Sequence, residues 1–170
     1  MSTTHRVVED VRIRHLTDDD WDGIATLEAD MYTDSALSEE RSALESRGRA
    51  SPSTCFVLEC DGRIAGYALA LPYPEFRYPD LARPEGSVHR SSNLHLHDLV
   101  IAEDLRGRGW AKRLLHRLTM TAAARSHDRI SLIAVGGSEP FWSANGFKPH
   151  HELGLAKSYG ANAVYMSRAV

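Results

Sequence analysis

The chain has 170 residues, 42% of them hydrophobic, and a formal net charge of −3. That length and apolar content suit one domain with a sizeable core and exclude a mainly disordered chain. The acidic balance disfavours general nucleic-acid binding, and no apolar run approaches the roughly 20 residues that span a bilayer.

Residues 1–9 read as a flexible tail ahead of a domain spanning residues 10–170, and MSTTHRVVED holds no apolar signal segment, so a cytoplasmic protein is expected. Val11, Ile13 and His15 alternate with Arg12 and Arg14 as a first strand. Thr17 or Asp18 can cap a helix whose apolar face is Trp21, Ile24, Leu27 and Met31. Near its end Glu28, Asp30, Tyr32 and Asp34 cluster, either as a solvated face or as acceptor-recognising groups. Residues 38–47 suggest a second helix that ends at Gly48, before Ser51-Pro52.

Residues 55–59 and 63–71 are strand-like, and Asp61-Gly62 between them is a strong hairpin signal. Cys55 and Cys60 sit at odd separation on the first of these strands. Their thiols point to opposite faces, which argues against a mutual disulfide or shared metal and for buried, reduced thiols. From residue 71 to residue 93 four prolines prevent a helix or central strand. Tyr73, Phe76 and Tyr78 make this a long aromatic loop, either a surface excursion or a binding loop.

The organising stretch is residues 95–118, HLHDLVIAEDLRGRGWAKRLLHRL. An apolar strand with His95, His97 and Asp98 among Leu96, Leu99, Val100 and Ile101 runs into Arg106-Gly107-Arg108-Gly109. Trp110, Leu114, Leu115 and Leu118 then recur at helical spacing. A helix start concentrates unpaired N–H groups and the positive end of the dipole, and glycines let a ligand approach the backbone. With Arg106, Arg108, Lys112 and Arg113 around it, the junction is suited to a phosphorylated ligand. Neither GxxxxGK[ST] nor GxGxxG spacing is present, so a P-loop and a dinucleotide fingerprint are excluded. No HExxH or paired CxxC spacing supports a metal site. Residues 129–135 read as a fifth strand, EPFWSAN as a short helix ended by Gly146, and Phe147 onward and residues 163–169 as the last two strands. The order β-α-α-β-β-β-α-β-α-β-β implies a mixed sheet flanked by helices, an α/β fold.

The R-x-x-G-x-A pattern at Arg106, Gly109 and Ala111, after an apolar strand, resembles motif A of the GNAT (GCN5-related N-acetyltransferase) superfamily. Asp61-Gly62-Arg63-Ile64-Ala65-Gly66-Tyr67 resembles the hairpin before that family's cofactor strand. Pro140-Phe141-Trp142 through Asn145-Gly146-Phe147 resembles its later A-x-x-F-Y-E-K-x-G-F segment, with Trp142 where tyrosine is common. The resemblance implies a single-domain GNAT-like fold that transfers an acetyl group from acetyl-CoA, without a metal, to a primary amine of a small molecule or peptide. Another acyl-CoA, a carrier-protein donor or a non-catalytic acyl-CoA sensor stays open, as does a homodimer.

By the same resemblance, Leu99, Val100 and Ile101 contact the pantetheine arm and thioester oxygen. Arg106, Gly107, Arg108, Gly109, Trp110, Ala111 and Lys112 hold the pyrophosphate. His95 stands where the histone-modifying branch carries a catalytic glutamate. A neutral imidazole can accept an ammonium proton near neutral pH, so His95 or His97, on one strand face, is the candidate base. Asp98 faces the other way unless a bulge intervenes. Tyr159 is the first candidate for the acid, with Ser138 behind it. Glu28, Tyr32, Tyr73, Phe76 and Asp98 are the expected acceptor-binding residues.

Overall fold

A computed structural model describes residues 10–33 and 37–170; the expected tail at residues 1–9 and Asp34 lie outside them. Seven strands form one sheet in the order β1-β2-β3-β4-β5-β7-β6. They are β1 (Val11–His15), β2 (Phe56–Cys60), β3 (Arg63–Pro72), β4 (Asn93–Ile101), β5 (Arg129–Ala134), β6 (Lys148–Pro149) and β7 (Val164–Ala169). All neighbours are antiparallel except β4 and β5. That one parallel pair needs a crossover, which α3 (Trp110–Ala124) supplies. The helices α1 (Trp21–Met31), α2 (Arg41–Ala50) and α4 (Glu139–Ala144) complete the α/β mixed sheet expected from the element order.

Two apolar layers sandwich the sheet. Leu114, Leu115 and Leu118 of α3 pack with Leu94, Leu96, Ile101 and Leu132 on one face. Trp21, Ile24 and Leu44 of α1 and α2 pack with Tyr67, Leu69 and Val100 on the other. Helix α2 starts three residues later than the spacing predicts and runs through Gly48 instead of ending there. Ser38 and Glu39 are tied instead to the Glu28 carboxylate, which keeps them out of the helix. Gly48 is required inside it because a Cβ there would come within 2.5 Å of the Trp21 ring. The helix stops at Ser51, the residue before Pro52, where the α conformation is disfavoured. Among the described residues no helix is long and apolar enough to cross a membrane.

Two irregularities in the sheet create the site. Strands β4 and β5 are paired only from Asn93↔Arg129 to Leu96↔Leu132. Beyond Leu96, β4 stays with β3 as far as Ile101, while β5 stays with β7 as far as Ala134. The sheet therefore splits, and alternate backbone groups of β4 face a gap instead of a strand. The second irregularity is a bulge: Leu69 pairs with Asp98 and Ala70 with Leu96, which leaves His97 as the extra residue. The bulge resets the alternation, so His97 and Asp98 share a face.

Candidate active site

The split encloses a cavity of about 430 Å³ that runs from the glycine turn to the His97 corner. One wall is β4 from Leu96 to Ile101; the other is Leu132, Ile133, Val135 and Gly136 at the end of β5. Arg106 and Ala111 close the glycine-turn end, with Phe141 and Trp142 of α4 nearby. Tyr32, Leu37, Glu39, Leu81 and Tyr159 stand around the far end.

At the near end Gly107 and Gly109 adopt φ of 76° and 83°, and nothing lies within 4 Å of where a Cβ would project. They turn the chain into α3 while keeping the approach to its first turn open. The first intrahelical bond runs from the Arg113 N–H to the Gly109 carbonyl. The N–H groups of Trp110, Ala111 and Lys112 therefore have no intrahelical acceptor. Of the expected cofactor residues, Leu99, Val100, Ile101, Arg106 and Ala111 line the cavity. Gly107, Arg108, Gly109, Trp110 and Lys112 form the turn and helix start at its mouth. The Arg106 Nε–H donates to the Ile101 carbonyl at 3.0 Å and its guanidinium reaches the Met31 sulfur. This side chain pins the end of β4 to α1 while leaving its charge at the mouth. The Arg113 guanidinium lies 4.7 Å over the Trp110 ring.

At the far end the two histidines share a strand face but not a site. His95 is buried and does not line the cavity; its Nδ1 lies 2.8 Å from the Ser131 hydroxyl, which also accepts from the Asn93 amide. Burial, with the charges of His97 and Arg47 pushing the same way, drives the His95 imidazole down to about 3. His97 lines the cavity, and its Nε2 lies 2.7 Å from Glu39 Oε2. Its Nδ1 is buried without a partner. The Arg47 guanidinium, also buried, bonds Glu39 Oε1 at 2.8 Å, pairs with Glu85 and donates to the carbonyls of Asp80 and Arg83. Desolvation pushes the Glu39 carboxyl up, but the charge and hydrogen bonds of His97 and Arg47 outweigh it and hold it below its ordinary value.

The expected acceptor residues divide. Asp98 lines the cavity, but Tyr32 and Tyr67 each donate a hydroxyl to it at 2.7 Å. Burial raises the Asp98 carboxyl, and the two hydroxyls only partly offset that. Tyr32 lines the cavity with its hydroxyl so engaged. Glu28 is buried behind the site, its carboxylate accepting from the Ser38 hydroxyl and the Glu39 N–H. Tyr73 and Phe76 lie away from the cavity because their rings anchor the long loop. Tyr73 packs on His89, Phe76 packs on His150 and Tyr165, and the Phe76 N–H donates to the Tyr165 hydroxyl. The loop reaches the cavity through Leu81 instead.

Neither acid candidate has an idle proton. Tyr159 lines the cavity, but its hydroxyl donates to the Pro79 carbonyl at 2.6 Å, and burial raises it. The Ser138 hydroxyl donates to the Val135 carbonyl at 2.7 Å. Trp142 presents an indole, which is a donor that does not ionise. Among the described residues no three His, Cys, Asp or Glu side chains gather as a metal site requires.

Pattern reading does not single out Glu39, Arg47 or Leu81. Glu39 meets His97 across 58 residues, a contact no local spacing encodes. Arg47 did carry a signal: it shares the buried face of α2 with Ala43, Leu44 and Gly48. A cation at a core position must find a partner.

The sequence profile of the acetyltransferase (GNAT) family matches residues 21–147. No curated protein is significantly similar to the chain in sequence. Among solved structures, Ard1 from Thermoplasma volcanium superposes with a TM-score of 0.72 at 15% identity, over 94% of this chain and 97% of that one. The N-acetylglutamate synthase of Neisseria gonorrhoeae, complexed with coenzyme A and N-acetyl-glutamate, gives 0.71 at 20% identity, over 94% of this chain and 35% of that longer one. A GNAT-like decarboxylase, GphF, in complex with isobutyryl-CoA, gives 0.73 at 20% identity, over 93% and 98%. At these identities the likeness is one of fold.

Proposed function

The chain belongs to the acetyltransferase (GNAT) family of acyltransferases, and from that premise we propose that it transfers an acetyl group from acetyl-CoA to a primary amine of a small molecule or peptide. The observation that carries the reading is the continuous cavity joining the glycine turn to His97 through the split between β4 and β5. The donor's chemistry fits its walls. The alternate backbone groups of the Leu99–Ile101 stretch that face the gap suit an amide-bearing arm and a thioester oxygen. The open N-terminus of α3, with Arg106, Arg108, Lys112 and Arg113 around it, suits a pyrophosphate. When bound, the thioester supplies an activated acyl carbon and a thiol leaving group.

The chain's own residues then have three tasks. Backbone N–H groups of β4 stabilise charge on the carbonyl oxygen. His97 is the base: its Nδ1 takes the ammonium proton, directly or through a water, which frees the nitrogen lone pair. The C–N bond forms, the C–S bond breaks with its electron pair going to sulfur, and the second amine proton leaves with the thiol or to solvent. With Trp142 in the wall and the Tyr159 hydroxyl engaged, no dedicated acid is assigned. A thiol with a pKa of about 8–9 leaves tolerably without one. His95 is not the base in this reading, because its Nδ1 is spent on Ser131 outside the cavity.

A second reading, a longer acyl group or a carrier-protein donor, is favoured by the apolar wall of Leu37, Leu81, Leu96 and Leu132. Thiol release from acetyl-, propionyl- and butyryl-CoA across an amine panel tests both. Amine-dependent release that is fastest with acetyl-CoA supports the proposal. No release from any donor, together with no thermal shift at saturating acetyl-CoA, removes it, since a bound ligand must stabilise the fold by about 2.7 kcal/mol at 100 times its Kd.

A further inference from the structure

We propose that Glu39 is the positioning residue for the base. It holds the His97 imidazole as the tautomer that carries its hydrogen on Nε2 and leaves Nδ1 to accept the acceptor's proton. This rests on the reading of His97 as the base.

The donor and acceptor capacity of the two groups decides where the hydrogen between them lies. Glu39 lies at 2.8 Å from the Arg47 guanidinium and 2.7 Å from His97 Nε2, with almost no exposure of its side chain. A guanidinium is a permanent cation, and Glu39 stands beside one. An ionised carboxylate only accepts hydrogen bonds. The hydrogen between Glu39 and His97 therefore belongs to Nε2, and in the neutral ring the lone pair falls on Nδ1. That atom is the buried ring nitrogen without a partner, on a residue that lines the cavity. A buried ring nitrogen left unmatched beside a cavity is free to take a partner from it.

Each neighbour of Glu39 serves the same geometry. The Glu39 backbone N–H is fixed by Glu28, and Arg47 holds the other carboxylate oxygen. Arg47 is itself locked by Glu85 and by the carbonyls of Asp80 and Arg83 in the long loop. The titratable and charged groups around the Glu39–His97 pair are Arg47 from α2, Glu28 from α1 and Tyr32 just beyond its end. Asp98 and His95 stand on the strand of His97, and Tyr159 comes from the segment before β7. Asp98 does not compete for the imidazole, because Tyr32 and Tyr67 occupy its two oxygens. When Nδ1 takes a proton, the ring becomes a cation against the Glu39 carboxylate, and the pair is stabilised without moving an atom.

The test compares the two carboxylates that share Arg47, since Glu39 touches His97 and Glu85 does not. Long-range proton–nitrogen NMR on the 15N-labelled chain reads the His97 tautomer without any substrate. The wild type is expected to show a protonated Nε2 and an unprotonated Nδ1. Glu39→Gln, whose amide can donate as well as accept, is expected to lose that preference. In thiol-release kinetics Glu39→Gln should lower kcat by about 10²-fold or more and leave the KM for acetyl-CoA unchanged. The acid limb of kcat should move to lower pH, because the imidazolium loses its counter-charge. Glu85→Gln should keep the tautomer and the pH limb. A wild-type ring protonated on Nδ1 overturns the proposal even if Glu39→Gln fails to fold. So does a Glu39→Gln protein with the wild-type tautomer and limb, or a Glu85→Gln protein that reproduces every effect. His97→Gln with normal turnover would instead remove the base reading itself. A wild type that releases no thiol ends the transfer reading, while the spectra still decide what Glu39 does to the ring.

Discussion

The two ends of the cavity are built in opposite ways. The glycine-turn end is made of backbone: two residues at positive φ and a helix start, all within residues 106–112. The His97 end is made of side chains from α2, β4 and the long loop, with contacts spanning 58, 8 and 38 residues. A backbone site needs only residues that permit a conformation, and that permission is written locally. A side-chain site needs partners brought together by the fold, and each partner depends on the others. Binding at the first end and proton transfer at the second should therefore fail separately.

The largest expected effect lies at the side-chain end. His97→Ala should lower kcat by about 10²–10⁴, the usual worth of a general base, with acetyl-CoA affinity unchanged. Steady-state kinetics beside calorimetry checks this. The loss should shrink at high pH, where more of the amine is already neutral. If His95→Ala instead gives the selective loss of kcat, the assignment of roles on β4 is reversed.

Next comes the backbone end. Gly109 sits at φ 83° with open space around its missing Cβ. Gly109→Val would force a β-branched residue into the left-handed region, at a cost of about 1–2 kcal/mol, or move the turn. We expect acetyl-CoA affinity to fall about tenfold or more, with kcat at saturation largely kept. Unchanged affinity in the folded variant would put the phosphates elsewhere.

A smaller effect separates His95 from His97 by stability. The folded His95 imidazole is pushed down to about 3 from an ordinary 6.5. Between those values the unfolded chain binds a proton that the folded chain does not, so stability rises with pH across the window and is lost as pH falls. The slope from this group is at most about 1.4 kcal/mol per unit. Glu28 and Asp98, whose carboxyls are raised, act with the opposite sign toward the acid end. The comparison is therefore wild type against His95→Gln by urea midpoint from pH 6.5 to 5. The variant should show the shallower dependence; equal slopes would mean that the ring is not held neutral.

The smallest effect is expected in the long loop. Phe76→Ala should leave the acceptor KM within about threefold, since its half-exposed ring packs on His150 and Tyr165 away from the cavity. Leu81→Ala should raise that KM more. The reverse order would restore the aromatic residues to the acceptor pocket.

The same contrast explains what the sequence made legible. The strand, glycine turn and helix at residues 95–118 could be read because hydrophobic spacing and glycine placement are local signals. So could the order of the strands and α-helices, and Asp61-Gly62, both at positive φ in the hairpin. The bulge at His97 could not be read, because it exists only as a mismatch between β3 and β4. Without it Asp98 would face away, and His95 and His97 looked interchangeable. The rings of the long loop are hard to assign from sequence for a related reason. Aromatic content signals contact area, but not whether that area meets a ligand or the sheet.

The most direct measurement takes the wild type, Gly109→Val and His97→Ala through one paired experiment, acetyl-CoA affinity by calorimetry and amine-dependent thiol release at saturating acetyl-CoA. Gly109→Val is expected to lose affinity and keep most of its turnover once saturated, and His97→Ala to keep affinity and lose turnover. Loss of both properties in both variants, or the opposite assignment, would contradict a cavity whose backbone end binds the donor and whose side-chain end moves the proton.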